Sequence, residues 1–221
     1  MCEKIKSILY NEIPGGEFDK NNESTLFSNR LVYLTKINLT GCNDMHEYSK
    51  MSEFYRYLEY EPHKTIDETK IYILSLLDRI NNGYRGGECM YWFIRSINTG
   101  KVIGSINLCA VDFKRKSAEV GLGLSPKYWG KGHIFEALYI LLNFCIEKIK
   151  LERIFASTII DNKPVIRLFE TAGFKIEGTL REAYLTYDGN RWDAIILGLL
   201  KREARLSRCY AFSKLLSNKQ I

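Results

Sequence analysis

Long apolar runs are absent from this sequence, and no stretch approaches the roughly 18–20 residues that a membrane-spanning helix needs. Residues 1–12 mix charged and apolar side chains and lack the long apolar stretch of a secretory signal peptide. These two absences predict a cytoplasmic protein that has no membrane partner.

Patterns typical of metal sites and disulfide frameworks are also missing. The chain has 6 cysteines and 3 histidines, but no Cys-x-x-Cys pair and no histidines at ligand spacing. We therefore expect neither a bound metal nor a structural disulfide. Cys109 lies in a predicted strand and Cys145 on a predicted helix face, where cysteine usually acts as a small buried hydrophobe.

Net positive charge is small outside the C-terminal end. The formal net charge is +6, and residues 201–221 hold six Lys and Arg side chains against a single Glu. The rest of the chain is nearly neutral, which argues against a nucleic-acid groove. The basic segment is either a solvated helix or a contact for phosphates, RNA or a partner. We expect a polar arm over residues 1–28, one α/β domain over 29–203 and a basic helix or tail over 204–221.

The most informative stretch, residues 119–137, matches neither of two common phosphate-binding motifs. A short apolar strand there leads through Gly130 and Gly132 into an amphipathic helix, whose first N–H groups and dipole favour an anion. The lysine and hydroxyl of a P-loop do not follow Gly132, and Phe135 replaces the third glycine of a dinucleotide fingerprint. A diphosphate cradle and a plain connecting turn both remain open at this point.

A second strand–helix–strand unit lies downstream. Residues 152–160 predict a buried strand, and Asp161-Asn162-Lys163-Pro164 predicts a helix start with a capping side chain and an early proline. Gly173 ends that helix and Phe174 begins another strand. Four apolar residues between these points have the spacing i, i+3, i+4 and i+7 and therefore share one face of the predicted helix: Val165, Leu168, Phe169 and Ala172.

The remaining elements complete a single α/β pattern without internal repeats. Thr65-Ile66-Asp67-Glu68 is a capping box before a helix with Ile73, Leu74, Leu77 and Ile80 on one face. Strands are predicted over residues 30–39, 90–97, 102–113, 174–187 and 192–200, and short helices over 43–60.

The order and spacing of three segments carry a resemblance. Tyr128-Trp129-Gly130-Lys131-Gly132, then Asp161-Asn162, then the run from Leu168 to Gly178 resemble the GNAT superfamily of acetyl-CoA-dependent N-acetyltransferases, in particular its Rim-type branch of ribosomal-protein N-acetyltransferases. The resemblance covers about residues 29–203. It implies an α/β (α+β) fold, a mixed and strongly curved sheet of about seven strands with helices on both faces. It also implies acetyl-CoA as the acetyl donor.

The resemblance further implies the cofactor contacts. The backbone of the motif strand would grip the pantetheine and polarise the thioester, and the glycine turn would bind the diphosphate of coenzyme A. Three residues depart from the family pattern. Ile134 stands where a small residue is usual, and Val165 stands where the family often has a serine. Phe169 stands where many members have a tyrosine that protonates the leaving thiolate. The implied set is Leu122, Gly123, Leu124, Trp129, Gly130, Lys131, Gly132, His133, Ile134, Asn162 and Phe169.

Acetyl transfer from a thioester to an amine requires a deprotonated amine, a polarised carbonyl and either a proton for the thiolate or a thiolate that leaves without one. Glu119, at the start of the motif strand, is the expected base; the alternative is a surface carboxylate that balances nearby cations. Tyr184 or Tyr187 could supply the acid that Phe169 cannot. Tyr57, Tyr60 and Asp193 are expected on the acceptor side.

We therefore expect an enzyme that acetylates a primary amine by direct attack in a ternary complex. The acceptor is a protein N-terminus or a small amine, and a nucleotide-linked amino sugar is the alternative. A protein that binds acyl-CoA without turning it over is the hypothesis from another class. A homodimer is left open, and a nucleic-acid partner is not expected.

Overall fold

The computed structural model describes residues 31–204. The predicted N-terminal arm lies outside the described residues, and so does the predicted C-terminal tail beyond Ala204. No helix in the described part of the chain is long and apolar enough to cross a membrane.

The described residues form a seven-stranded mixed sheet, which confirms the predicted α/β architecture. The strands are β1 (Val32–Lys36), β2 (Glu88–Ser96), β3 (Val102–Asp112), β4 (Ser117–Leu124), β5 (Arg153–Ile159), β6 (Lys175–Leu185) and β7 (Arg191–Leu200). Neighbouring strands follow the order β1-β2-β3-β4-β5-β7-β6, and every adjacent pair is antiparallel except β4 and β5.

Helices cover both faces of the sheet. They are α1 (Cys42–Ser49), α2 (Ser52–Tyr55), α3 (Ile66–Asn82), α4 (His133–Asn143), which continues into a π-helical turn (Phe144–Lys148), and α5 (Lys163–Thr171). The predicted cap of α3 is present, since Thr65 Oγ1 accepts the Glu68 N–H at 3.3 Å. One detail of the predicted apolar face of α3 is wrong: Leu76 is buried and Leu74 is 46% exposed, because the helix turns the row Thr69, Ile73 and Leu76 inward.

Strand alternation divides the apolar core into two layers. On β2, Trp92 and Ile94 belong to the layer beneath α4, whereas Tyr91 and Phe93 belong to the layer beneath α1 and α3. Successive side chains point to opposite faces of a strand, so a strand covered on both sides is apolar at nearly every position. This explains why β2 is a nearly continuous apolar run.

The parallel pairing of β4 with β5 is short. Only Ser117 to Glu119 pair with Arg153 to Phe155, and within the described chain residues 120–124 and 156–159 are not paired with each other. The two strands therefore separate beyond Glu119. This gap in the middle of the sheet positions the candidate site.

The close approach of β3 and β4 generates a stability prediction. A Cβ on Gly104 would lie 2.4 Å from the Gly123 carbonyl oxygen, which is backbone and cannot rotate away. We expect Gly104→Ala to lower the free energy of unfolding by about 1–3 kcal/mol, measured by urea denaturation. Gly178→Ala is the matched control in a strand, because nothing lies within 4 Å of its Cβ position. Equal losses in both variants would contradict this account.

Candidate active site

A cavity of about 280 Å³ lies beside the gap between β4 and β5. Residues of β3, β4, β5 and β6 line it together with the end of α3 and a segment that contributes Phe54, Tyr55, Tyr57, Leu58, Glu59 and Tyr60. Its polar lining includes Ser105, Asn107, Cys109, Glu119, Ser157 and Tyr184.

A chain of hydrogen bonds joins Tyr184, Ser157 and Glu119 in this cavity. Ser157 Oγ donates to Glu119 Oε1 at 3.1 Å, and the Tyr184 hydroxyl is 2.7 Å from the same Ser157 Oγ. A serine hydroxyl has one proton, so its donation to Glu119 leaves Tyr184 as the donor to Ser157. Two residues expected from the sequence are thus connected by a third that the sequence reading missed.

The strand register brings these side chains together. Glu119 is the last residue of β4 that pairs with β5, opposite Phe155, and Ser157 follows two residues later on β5. Residues two apart on a strand share a face, so Ser157 lies next to Glu119 just where the strands separate. The adjacent hydroxyls of Ser157 and Thr158, near the end of a strand that is apolar from Ile154 to Ala156, were the available sequence signal.

Tyr184 reaches the cavity through an irregularity in β6. The register with β7 shifts between Leu180 and Tyr184, and Glu182 takes a positive φ of 51°. The Asp193 carboxylate accepts the Glu182 N–H at 2.9 Å and so holds this bulge. Asp193 therefore contacts the β6 backbone and is not among the cavity-lining residues.

Charge and burial both act on the Tyr184–Ser157–Glu119 chain. Arg85 Nη1 lies 3.7 Å from Glu119 Oε2, and the Glu119 side chain is only 19% exposed. Burial raises the pKa of Tyr184; the bond to Ser157 opposes this and the negative charge of Glu119 adds to it. The Tyr184 hydroxyl thus keeps its proton at neutral pH and above, where an ordinary tyrosine already remains protonated.

Cys109 is buried in the layer beneath α1 and α3, as expected from its strand position, and it also contacts polar groups. Its sulfur lines the cavity and lies 3.2 Å from both the Tyr91 hydroxyl and Asn107 Nδ2. A hydrogen bond from Cys89 is the main cause that lowers the pKa of the Cys109 thiol. Cys145, by contrast, is fully buried in the apolar layer beneath α4, as expected.

Asn162 and Phe169 of the second unit both line the cavity. Of the two candidate capping side chains, Asn162 occupies the N-cap position of α5 but makes no capping bond, and its Nδ2 donates to Thr158 Oγ1 at 3.1 Å. Phe169 is buried, its ring 4.9 Å from that of Phe174. It has no proton to donate.

The glycine turn has the geometry of an anion cradle. Gly130 and Gly132 have φ of 71° and 84°, and the buried Gly132 is the N-cap of α4, whose first-turn N–H groups have no acceptor within the helix. Trp129 Nε1 donates to the Leu124 carbonyl at 2.7 Å and so ties the turn to the end of β4. Ile134 packs against the core.

His133 adds a second indication of a ligand at this turn. Its ring is buried, and among the described residues its Nδ1 has no hydrogen-bond partner. Burial lowers the pKa of His133, and the charge of Lys131 lowers it further. Lys131 itself donates to the Lys127 carbonyl at 3.0 Å. An unpartnered ring nitrogen beside free helix N–H groups fits the diphosphate of coenzyme A, which would satisfy both.

Only some of the residues expected on the acceptor side, or as the acid, line the cavity. Tyr57 and Tyr60 line the cavity, whereas Tyr187 lies in the turn between β6 and β7, 44% exposed and outside the lining. Sequence reading missed Arg79, Arg85 and Tyr91, which also line the cavity. Their positions in the end of α3, the following loop and β2 gave no motif to recognise.

The comparisons with known proteins agree with this geometry. The sequence profile of the acetyltransferase (GNAT) domain matches residues 32–175. The chain belongs to the GNAT acetyltransferase family. It is therefore an acetyl-CoA-dependent acyltransferase, and the resemblance predicted from its motifs is confirmed.

Three known proteins illustrate what this GNAT domain is similar to. It is 29% identical over 179 residues to the uncharacterized N-acetyltransferase p20 of Bacillus licheniformis, which covers 81% of this chain and 97% of that one. It is 27% identical over 124 residues to the [ribosomal protein uS5]-alanine N-acetyltransferase of Escherichia coli, 56% of this chain and 63% of that one. The structure of spermidine N-acetyltransferase from Vibrio cholerae with CoA and spermine shares the fold, with a TM-score of 0.66, 19% identity and coverage of 79% and 98%.

The cradle generates a binding prediction for this GNAT domain. We expect Gly132→Trp to raise the Kd for acetyl-CoA at least about tenfold by calorimetry, because a side chain at this buried left-handed residue disturbs the first turn of α4. Gly189→Trp is the control: it has the same φ of 84° but lies in the β6–β7 turn with nothing within 4 Å. Unchanged affinity in Gly132→Trp would show that the cofactor lies elsewhere.

Proposed function

We propose that this chain acetylates a primary amine, either of a small molecule or of a protein N-terminus, by direct attack on acetyl-CoA in a ternary complex. The observation that carries the proposal is the Tyr184–Ser157–Glu119 hydrogen-bond chain, located where β4 and β5 separate. An acid and a base joined by one hydroxyl are the proton-handling groups that this reaction needs.

The gap between the strands supports the position of the donor. Beyond Glu119, β4 faces β5 without pairing with it, so the N–H and C=O groups of Leu122 and the N–H of Leu124 on that side are available to a ligand, while the Leu124 carbonyl accepts from Trp129. In the proposal the amide-rich pantetheine arm of acetyl-CoA occupies this gap as an additional strand would. A backbone N–H near Leu124 then polarises the thioester carbonyl.

Three side chains move the proton. Glu119 accepts the proton that the attacking amine releases. Tyr184 donates its proton to the sulfur of coenzyme A as the C–S bond breaks, and Ser157 then passes the proton of Glu119 back to Tyr184. The amide C–N bond forms, the thioester C–S bond breaks, and the net proton moves from the amine to the thiol. The Tyr184–Ser157–Glu119 hydrogen-bond chain thus supplies the acid that Phe169 cannot supply.

Coenzyme A release, read with a thiol reagent, tests the proposal directly. The panel contains acetyl-CoA with short peptides bearing Ser or Ala N-termini, with polyamines, and with amino sugars both free and nucleotide-linked. We expect turnover with at least one class of amine. Binding of acetyl-CoA without release of coenzyme A across the panel would overturn the proposal and favour a non-catalytic acyl-CoA-binding protein.

The proton relay predicts graded losses in activity. Tyr184→Phe removes the donor and keeps the ring, so we expect kcat to fall about a hundredfold while the KM for acetyl-CoA stays within about twofold. Ser157→Ala interrupts the relay and should give a smaller fall in kcat. Tyr187→Phe is the control, because this tyrosine lies outside the cavity lining. A wild-type kcat in Tyr184→Phe would remove this residue from the mechanism.

A further inference from the structure

The cavity holds two guanidinium groups, and only one of them has a carboxylate partner. Arg79 and Arg85 lie over the same aromatic ring, with their Cζ atoms 4.4 Å and 5.2 Å from the ring centroid of Tyr84. Arg85 is paired with Glu119 at 3.7 Å. No Asp or Glu oxygen among residues 31–204 lies within 4.0 Å of the Arg79 guanidinium. Arg79 is therefore an unneutralised cation in the cavity wall.

Neighbouring side chains fix the position of Arg79. Its guanidinium lies over the Tyr84 ring. Tyr91, which lines the same cavity, has its hydroxyl 3.2 Å from the sulfur of Cys109, the residue opposite Glu119 in the β3–β4 register. Arg79 is half-buried in the last turn of α3, where a cation also suits the helix dipole. The dipole explains a cation at this turn. It does not explain why the guanidinium is directed onto a cavity-lining tyrosine.

The remaining charges of the cavity show what an incoming amine meets. Glu59 is exposed at the rim, where its carboxylate accepts the Leu185 N–H at 3.4 Å. His63 is uncharged at neutral pH, because burial lowers its pKa. The charges of two arginines and two glutamates thus balance in the cavity. An acceptor that carries only positive charge would leave the occupied cavity with a net positive charge, whereas an acceptor that also carries an anionic group would not.

We propose that Arg79 binds an anionic group on the acceptor, so that the acceptor is a small amine that also carries a carboxylate or a phosphate. Its amine lies at Glu119 and its anion at Arg79. Guanidinium is well suited to this role because it stays charged and presents several N–H donors in the plane that carboxylates and phosphates match. The inference rests on the proposed acetylation of an amine and names the class of that amine.

Matched acceptors and one substitution test this inference. Calorimetry on the full chain loaded with coenzyme A, which cannot react, compares 4-aminobutyrate with its neutral isostere 4-aminobutanamide and with 1,4-diaminobutane; 2-aminoethyl phosphate is the phosphate arm. We expect the carboxylate or the phosphate compound to bind about tenfold tighter than the amide and the diamine. Arg79→Gln should reduce this ratio to about twofold or less, and Arg79→Lys should retain part of it.

Arg56→Gln is the matched control, since Arg56 also lies over a tyrosine ring, 5.3 Å from the centroid of Tyr57, but does not line the cavity. It should keep the full preference. Equal binding of all four compounds, no binding of any of them, or a preference that survives Arg79→Gln would each overturn the inference.

Rates of coenzyme A release with the same compounds separate this inference from the proposed function. Turnover of amines without any preference for an anion would leave the acetylation proposal intact and remove the anion subsite. Anion-dependent binding that Arg79→Gln abolishes, without release of coenzyme A from any amine, would support the subsite and overturn the catalytic proposal.

Discussion

The short parallel contact between β4 and β5 is the constraint on which the rest of the structure depends. Three residues of each strand pair, and the strands then separate. A longer pairing would close the sheet and leave no room between its two halves. A shorter one would leave β5 connected to the first half of the sheet only through helices. Glu119 lies at the last paired position, so the same contact that joins the halves also fixes the carboxylate at the opening.

Two further contacts transmit this geometry to the surrounding elements. The Trp129 indole donates to the Leu124 carbonyl and anchors the glycine turn to the free end of β4. On the opposite side, the Asp193 carboxylate holds the bulge of β6 that directs Tyr184 inward. Both contacts are single hydrogen bonds to backbone groups, and each sets the direction of a segment that carries functional atoms. The opening is therefore defined from both ends of the gap.

The sequence predicted the elements of the fold well because their signals are local. Alternation, caps and glycine stops gave the strands and helices, and the order of motifs gave the family. The predicted face of α3 failed at Leu74 because spacing alone does not decide which of two adjacent rows turns inward. Asn162 occupies the N-cap position of α5 without a side-chain capping bond, and its amide Nδ2 instead donates to Thr158 of β5, a tertiary contact that the local sequence does not report.

The candidate site was predicted only where a motif reports it. Glu119 and Tyr184 were found, but Ser157 between them was not, because its role exists only once the β4–β5 register places it beside Glu119. Arg79 and Tyr91 come from separate elements and reach the same cavity through tertiary packing. Tyr187 was as plausible as Tyr184 by position, and the bulge that selects between them depends on the contact of Glu182 with Asp193 across two strands. Nothing local encodes that contact.

An acid supplied from β6 in place of α5 is physically consistent with this fold. Proton transfer depends on the position of the hydroxyl and on its hydrogen bonds, and the identity of the element that carries it is immaterial. Phe169 leaves an apolar wall on the α5 side of the cavity, while Tyr184 approaches from the other side with its hydroxyl already bonded to Ser157. Burial holds the proton on Tyr184, and Ser157 connects it to a carboxylate that can restore the proton after transfer. In the proposed mechanism, phenylalanine at the family's tyrosine position therefore changes the route of the proton and leaves the chemistry of acetyl transfer intact.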